Sequence, residues 1–262
     1  VSTKTSLDLA YVIAGHSHLR VFGVPLKSST GSNALVAVEG KPRVEVLTGA
    51  WPRTLTYWNG AIAASTILPV AVVWRGNQHN VDFLFAPTPM IDLVLEKYPQ
   101  LPVDSRQHIV PELAIRELYK PSLVGLDWVL ARMQKTRGPG AFVVGTPPPK
   151  QDSEALRSAV FTETHFARRF TRVGVCNAEV QLSPPLLRLK LWLLLQQMMS
   201  EHAQAFGAHF CSSPPEAQTA EGFLHEDFWA TDVTHANRAY GPLMLQTIAS
   251  CVSAFAAERQ VH

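Results

Sequence analysis

The chain has 262 residues, 47% of them hydrophobic and only 17% charged, with a formal net charge of +2 at pH 7. That length and apolar content suit one large α/β domain with a well-buried core. The near-balanced charge excludes the strong field that would favour nucleic acid or an anionic membrane surface.

Leu9 to Ala14 is an apolar run that reads as a short buried strand. It stops at Gly15, and Ser17 follows just past its carboxyl end, the edge where open α/β sheets bind ligands. Asn33–Glu39 and Arg43–Thr48 are β-rich runs around the turn Gly40-Lys41-Pro42, and the second ends at Gly49. Trp51–Ser65 holds a short helix, with Gly60 as its weak spot. Pro69–Trp74 is a strand buried on both faces that runs into Arg75-Gly76-Asn77-Gln78-His79-Asn80. Residues 83–110, punctuated by Pro87, Pro89, Pro99 and Pro102, read as an irregular excursion, either a flap or an inserted loop. Pro111–Lys135 is helical with a break expected before Pro121, and Gly138-Pro139-Gly140 ends it.

Ala141–Thr146 is a further strand, and Pro147-Pro148-Pro149 fixes an extended exit from it. Gln151–Arg172 and Pro184–Phe206 look helical, Ala208–Ser212 is the last strand, Phe223–Trp229 is loop, and His235 opens a closing helix that reaches Arg259. Strand and helix alternate throughout residues 1–262, which predicts a single domain with a parallel sheet and helices on both faces. The most apolar stretch, Leu186–Leu195, is interrupted by Arg188 and Lys190 and is too short to span a bilayer, so no stable membrane insertion is expected. Arg168, Arg169 and Arg172 read as a solvated helix face, not a nucleic-acid stripe. Cys176, Cys211 and Cys251 have no metal-type spacing and read as small buried hydrophobes. The chain opens on Val1, as a trimmed start would, and no charged segment followed by an apolar core suggests a signal peptide, so the expectation is a cytoplasmic protein.

A serine at a strand end is a weak nucleophile until an imidazole takes its proton, and that imidazole needs a carboxylate to fix its tautomer. Near the other end of the chain, Asp232-Val233-Thr234-His235 supplies both, at a spacing that sets them one helical turn apart. An oxyanion formed on attack needs donors, and backbone N–H groups with the Asn77 amide are suitable ones. A second reading gathers His16, His18 and His79 at adjacent strand ends as zinc ligands for a metal-dependent phosphoesterase. Gly15-His16-Ser17-His18 is similar to the Gly-His-x-His block of metallophosphoesterases, although no Asp-x-His occurs. A third reading is a non-catalytic binding module. Trp51, Trp58 and Trp74 read as core packing, Phe228-Trp229 as a pocket wall, and Arg75 as a partner either for an anionic substrate or for a surface carboxylate.

Taken together, Gly15-His16-Ser17, Gly49, Gly76-Asn77 and Asp232-x-x-His235 resemble, in order and placement, the motif blocks of the SGNH (GDSL-like) hydrolases. The resemblance runs from Tyr11 to about Gly241. It implies a three-layer fold on a flavodoxin-like sheet of five parallel strands. It also implies a serine esterase that cleaves a carboxylic ester, such as a carbohydrate acetyl ester or a short-chain acyl ester, through an acyl-enzyme. By the same resemblance Ser17 is the nucleophile, His235 the base and Asp232 its partner. Ser17, Gly49 and Asn77 form the oxyanion hole, the substrate is a small-molecule ester, and no cofactor is needed. Two departures stand out: His16 replaces the family's usual Asp before the serine, and Asn77 is followed by Gln78-His79-Asn80 where Asp is usual. Asn80 is therefore a rival to Asn77, Gly60 a rival to Gly49, and His16, His18 and His79 are candidates for supporting roles.

Overall fold

Side-chain alternation along β1 (Tyr11–Gly15) sets the layering. Val12 and Ala14 belong to one hydrophobic core, Tyr11 and Ile13 to another, which is the period-2 pattern of a strand covered on both faces. The computed structural model, which describes residues 10–162 and 181–261, places β1 inside a six-stranded sheet. The other strands are β2 (Ala34–Val38), β3 (Lys41–Thr48), β4 (Val70–Val73), β7 (Ala141–Val144) and β8 (His209–Cys211). Their spatial order is β2-β3-β1-β4-β7-β8. β5 (Ile91–Leu93) and β6 (His108–Val110) form a separate parallel pair.

The expected sheet of five parallel strands is thus extended by one. β3, β1, β4, β7 and β8 pair in parallel, but β2 joins β3 antiparallel. The connection decides this. Only Glu39 and Gly40, the latter at φ 69°, separate the two strands, whereas a parallel pair needs a crossover of about a dozen residues. β2 also alternates between exposed and half-buried positions, as an edge strand with one wet face does.

Helices α1 (Leu55–Ala64), α3 (Glu112–Thr136) and α5 (Pro185–Ala205) cover the Val12/Ala14 face. The 3-10 helix Ser17–Phe22 and α6 (Tyr240–Val261) cover the other. Between them in the chain lie α2 (Gln78–Phe83) and α4 (Ser153–Thr162). The latter accounts for part of the helix expected over Gln151–Arg172; Arg168, Arg169, Arg172 and Cys176 lie outside the described residues. α1 starts later than Trp51, where the Thr54 hydroxyl caps the Tyr57 N–H. α3 does not break before Pro121. Its buried face continues through Ile115, Tyr119, Leu123 and Leu126, and the Ser122 hydroxyl bonds the Tyr119 carbonyl across the interruption, so packing outweighs the lost N–H. α6 begins at Tyr240, not His235. Its length and mean hydropathy of 1.2 would suit a membrane span, yet it lays Tyr240, Met244, Leu245 and Ile248 on the sheet.

The excursion over residues 83–110 carries its own strand pair, β5 and β6. Ile91, Leu93 and Leu95 enter the core under α3 and α5. Lys190, which sequence places awkwardly inside the apolar run of α5, meets Asp92 at 2.6 Å with both groups buried, and its ammonium also bonds the Leu93 carbonyl at 3.0 Å. The Asp92 carboxylate accepts the N–H groups of Leu93 and Asp104 as well, so both of its oxygens are engaged. Removing one partner strands a buried charge, whereas replacing both with apolar groups does not. Lys190→Met is therefore expected to cost about 3–5 kcal/mol and Lys190→Met with Asp92→Leu markedly less. Urea midpoints of the parent, the single and the double variant test this, and equal losses in both variants would contradict it.

Candidate active site

Ser17 is placed by the way the chain leaves β1. Gly15 pairs with Val73 of β4, and a Cβ at position 15 would stand 2.2 Å from the Val73 carbonyl oxygen. Only glycine fits that approach. His16 still donates its N–H to Val73, at 3.0 Å, and then Ser17 opens the 3-10 helix. Gly23, at φ 74°, closes it. Gly241 at the start of α6 presses on the same turn, since a Cβ there would meet the Val21 carbonyl oxygen at 2.1 Å.

His235 Nε2 lies 2.8 Å from Ser17 Oγ, and its Nδ1 lies 2.9 Å from Asp232 Oδ2. The Asp-x-x-His spacing does not arise from a helix. The other Asp232 oxygen, Oδ1, accepts the N–H groups of Thr234 (3.0 Å) and His235 (2.7 Å), the Asx-type turn that Asp favours. One carboxylate therefore orients both the backbone and the ring of His235. The loop is closed further by the Asn237 amide, which donates to the Asp227 and Trp229 carbonyls. Trp229 donates its indole N–H to Leu224 and packs as part of this loop. Burial works against the Asp232 charge, but the His235 ring and the two N–H groups more than offset it and hold the carboxyl well below the usual carboxylate range.

The remaining sequence candidates divide. Asn77 stands at the carboxyl end of β4 as the residue before α2, and among the described residues its amide makes no hydrogen bond, leaving it available. Asn80 is buried one turn into α2. Gly49 follows β3, while Gly60 lies inside α1, its space filled by the Asn33 amide. His16 turns into an aromatic box, with its ring centroid 4.9 Å from Trp74 and 5.4 Å from Trp58. His18 lies 4.9 Å from the His235 ring. His79 is buried in α2. Among the described residues no three His, Cys, Asp or Glu side chains converge as a metal-ligand set. What the three histidines share instead is orphaned nitrogens: His16 Nε2, both nitrogens of His18 and His79 Nδ1 are buried without partners.

Four supporting residues carry no sequence signal. The Tyr57 hydroxyl accepts the Gly15 N–H at 2.7 Å and bonds the Leu47 carbonyl at 2.9 Å, tying the ends of β1 and β3 together. Arg53 Nε donates to the Gly15 carbonyl at 2.7 Å. Lys150, buried after the triple proline, donates to the carbonyls of Ala230 (2.6 Å) and Asp232. Arg188, fully buried in α5, bonds the carbonyls of Ser183 (2.5 Å), Gln151 (2.8 Å) and Lys150 (3.2 Å), and so anchors the segment that carries Lys150. All four hold backbone carbonyls or amides around the site, a role that depends on tertiary placement alone.

Burial lowers the pKa of all three histidines. His16, with Arg75 and Arg53 adding to the effect, and His79, with Arg188 adding, are each pushed down to about 3; His18 is also held well below its ordinary value, by burial and then by the neighbouring His235. A folded-state pKa below the unfolded value of about 6.5 means that the unfolded chain takes up protons first as pH falls. Stability is therefore complete above about pH 6.5 and declines below it, by about 1.4 kcal/mol per pH unit for each such histidine. Denaturant midpoints between pH 7 and pH 4 are expected to fall steeply, and His79→Leu to flatten the slope by about a third. A parent protein equally stable at pH 7 and pH 5 would contradict this.

The chain matches no family model, and no curated protein matches it. Solved structures align over most of its length at low identity. A candidate platelet activating factor from Streptococcus pneumoniae shares 11% identity at a TM-score of 0.48, over 95% of this chain and 86% of that one. LAE5, an alpha/beta hydrolase enzyme from the metagenome of Lake Arreo, Spain, shares 13% identity at a TM-score of 0.44, over 95% of this chain and 99% of that one. At these scores neither likeness assigns a function.

Proposed function

We propose that the chain is a serine esterase of the SGNH type, cleaving a small-molecule carboxylic ester, such as a carbohydrate acetyl ester or a short-chain acyl ester, through an acyl-enzyme. The observation that supports this reading is the continuous relay of Ser17 Oγ, His235 Nε2, His235 Nδ1 and Asp232 Oδ2, with steps of 2.8 and 2.9 Å across residues from opposite ends of the chain. A surface serine and a surface histidine have no reason to meet in this way, and a hydrogen-bonded nucleophile–base–orienter set is the arrangement that acyl transfer requires.

In this mechanism His235 Nε2 takes the Ser17 proton as Oγ attacks the ester carbonyl. Asp232 holds the Nδ1–H tautomer and stabilises the imidazolium that forms. The carbonyl oxygen gains negative charge and is met by the N–H of Ser17, which opens a helix and has no intrahelical acceptor. The Gly49 N–H and the unspent Asn77 amide complete the set. As the tetrahedral intermediate collapses, His235 gives its proton to the departing alcohol. Water, deprotonated by the same imidazole, then attacks the acyl-enzyme and returns free Ser17 and the acid.

Nucleophile and base act as one unit, so their losses do not add. Ser17→Ala, His235→Ala and the double variant are expected to lose similar activity, on the order of 10³-fold or more in kcat on a p-nitrophenyl ester. Asn77→Ala removes one donor and is expected to lose roughly 10²- to 10³-fold. A serine-directed phosphonate should label the parent at Ser17 and leave the Ser17→Ala protein unmodified. Near-parent activity in Ser17→Ala would overturn the reading.

A further inference from the structure

We propose that Arg75 and Arg53 form an anion-binding subsite beside Ser17, so that the ester turned over there carries a carboxylate, sulfate or phosphate group near its scissile bond. This rests on the esterase reading above and adds the substrate's charge to it.

The placement of Arg75 comes first. Gly15 and Val73 are paired across β1 and β4, and Ser17 and Arg75 each lie two residues further on. The two residues thus leave adjacent strands level with one another, on the edge of the sheet where ligands bind. Arg75 is exposed, and among the described residues its guanidinium has neither an ion pair nor a hydrogen bond.

Arg53 approaches from the other side of β1. Its Nε is spent on the Gly15 carbonyl at 2.7 Å, and its Nη1 reaches the carbonyls of Gly49 (3.5 Å) and Ala50 (3.4 Å). Its guanidinium lies 4.0 Å above the Tyr57 ring and 5.2 Å from that of Trp51. The side chain is therefore held rigidly between the Gly15 and Gly49 carbonyls, and among the described residues its buried Nη2 makes no hydrogen bond. Its fixed positive charge stands beside the Gly15 and Gly49 carbonyls, where it attracts an oxyanion through the field of the guanidinium. No carboxylate pairs with Arg53 among the described residues, and the salt-bridged carboxylate of the site, Asp232, is already engaged by His235 and by Arg20 at 3.6 Å.

Arg75 and Arg53 both add to the burial that keeps His16 neutral, and Arg53 itself packs on the Trp51 and Tyr57 rings. Trp51, 37% exposed, offers an open flat wall. A guanidinium fork matches carboxylate, sulfate and phosphate oxygens better than a point charge does, and a neutral ester would leave the excess positive charge unmatched.

Two ester pairs test the proposal and locate the charge. p-Nitrophenyl hemisuccinate against p-nitrophenyl valerate places it in the acyl half; 4-acetoxybenzoate against 4-methylphenyl acetate places it in the alcohol half. The parent is expected to favour the charged member of one pair in kcat/KM by about tenfold or more, the size of one charge-assisted hydrogen bond. Arg75→Gln should collapse that ratio toward one, Arg75→Lys should keep part of it, and added salt should reduce it. Calorimetric titration of Ser17→Ala with succinate, sulfate and phosphate provides a readout independent of turnover, in which Arg75→Gln is expected to weaken binding by the same factor. If no ester is hydrolysed, the esterase reading falls while calorimetry still decides the subsite. Equal use of charged and neutral esters by an active parent overturns the proposal, as does a charge preference or anion affinity that survives Arg75→Gln.

Discussion

The hydroxyl of Tyr57 is the interaction on which the candidate site depends. In a continuing parallel sheet the Gly15 N–H would find a carbonyl on the next strand. Here the β1–β3 pairing ends at Ile13 and Val46, and the Tyr57 hydroxyl takes the place of that carbonyl, at once accepting from Gly15 and bonding Leu47. Burial pushes this hydroxyl up to about 12, with Arg53 opposing, so it remains a protonated donor across the ordinary pH range. The same phenol anchors α1 under the sheet. The turn into Ser17, the end of β3 at Gly49 and the docking of α1 are therefore coupled through one oxygen atom.

The sheet was legible because its physics is local. Tyr11–Gly15, Val70–Val73 and Ala141–Val144 are short apolar runs that can only be strands covered on both sides, and glycines or prolines mark their ends. The residues that meet at Ser17 were legible only jointly: a strand-end serine is commonly a turn residue and Asp232 could cap a helix, but their occurrence at opposite ends of an α/β chain, with Gly76-Asn77 after β4, points to one site. Their geometry was not. The spacing of Asp232 and His235 suggests a helical turn, but the backbone N–H groups of Thr234 and His235 bind the same carboxylate and curl the chain into an Asx turn, delaying α6 to Tyr240. Sequence spacing reports that two side chains are near; the hydrogen bonds decide which backbone brings them there.

What stayed illegible shares a cause. Tyr57, Arg53, Lys150 and Arg188 act on main-chain carbonyls and amides far away in sequence, and neither composition nor period encodes such partners. The antiparallel edge strand β2 was visible as a run, but its membership of the main sheet followed only from the short Gly40 turn. Lys190 looked like an interruption of an apolar helix. It ties α5 to the 83–110 segment, because its ammonium meets the Asp92 carboxylate and is not buried unpaired. Pro121 misled for the converse reason: a local rule was outweighed by a long apolar face on α3.

The charge distribution connects these features. Lys150 and Arg188 are buried cations that bond main-chain carbonyls around the site, and Arg188 adds to the burial that keeps His79 neutral. Asp232 is held as an anion by the His235 ring and by the N–H groups of Thr234 and His235, while Arg75 and Arg53 at His16 and Arg188 at His79 add to the burial that opposes protonation of those imidazoles. The orphaned nitrogens of His18 extend the same logic. A hydrogen-bonded residue at position 18 would compete for His235, whereas a neutral ring packed 4.9 Å away supports it without offering a rival partner. The cost is an unsatisfied polar group in the core, on the order of 1–3 kcal/mol. That cost falls beside the residue whose orientation the proposed chemistry requires, which is where stability is commonly given up for preorganisation.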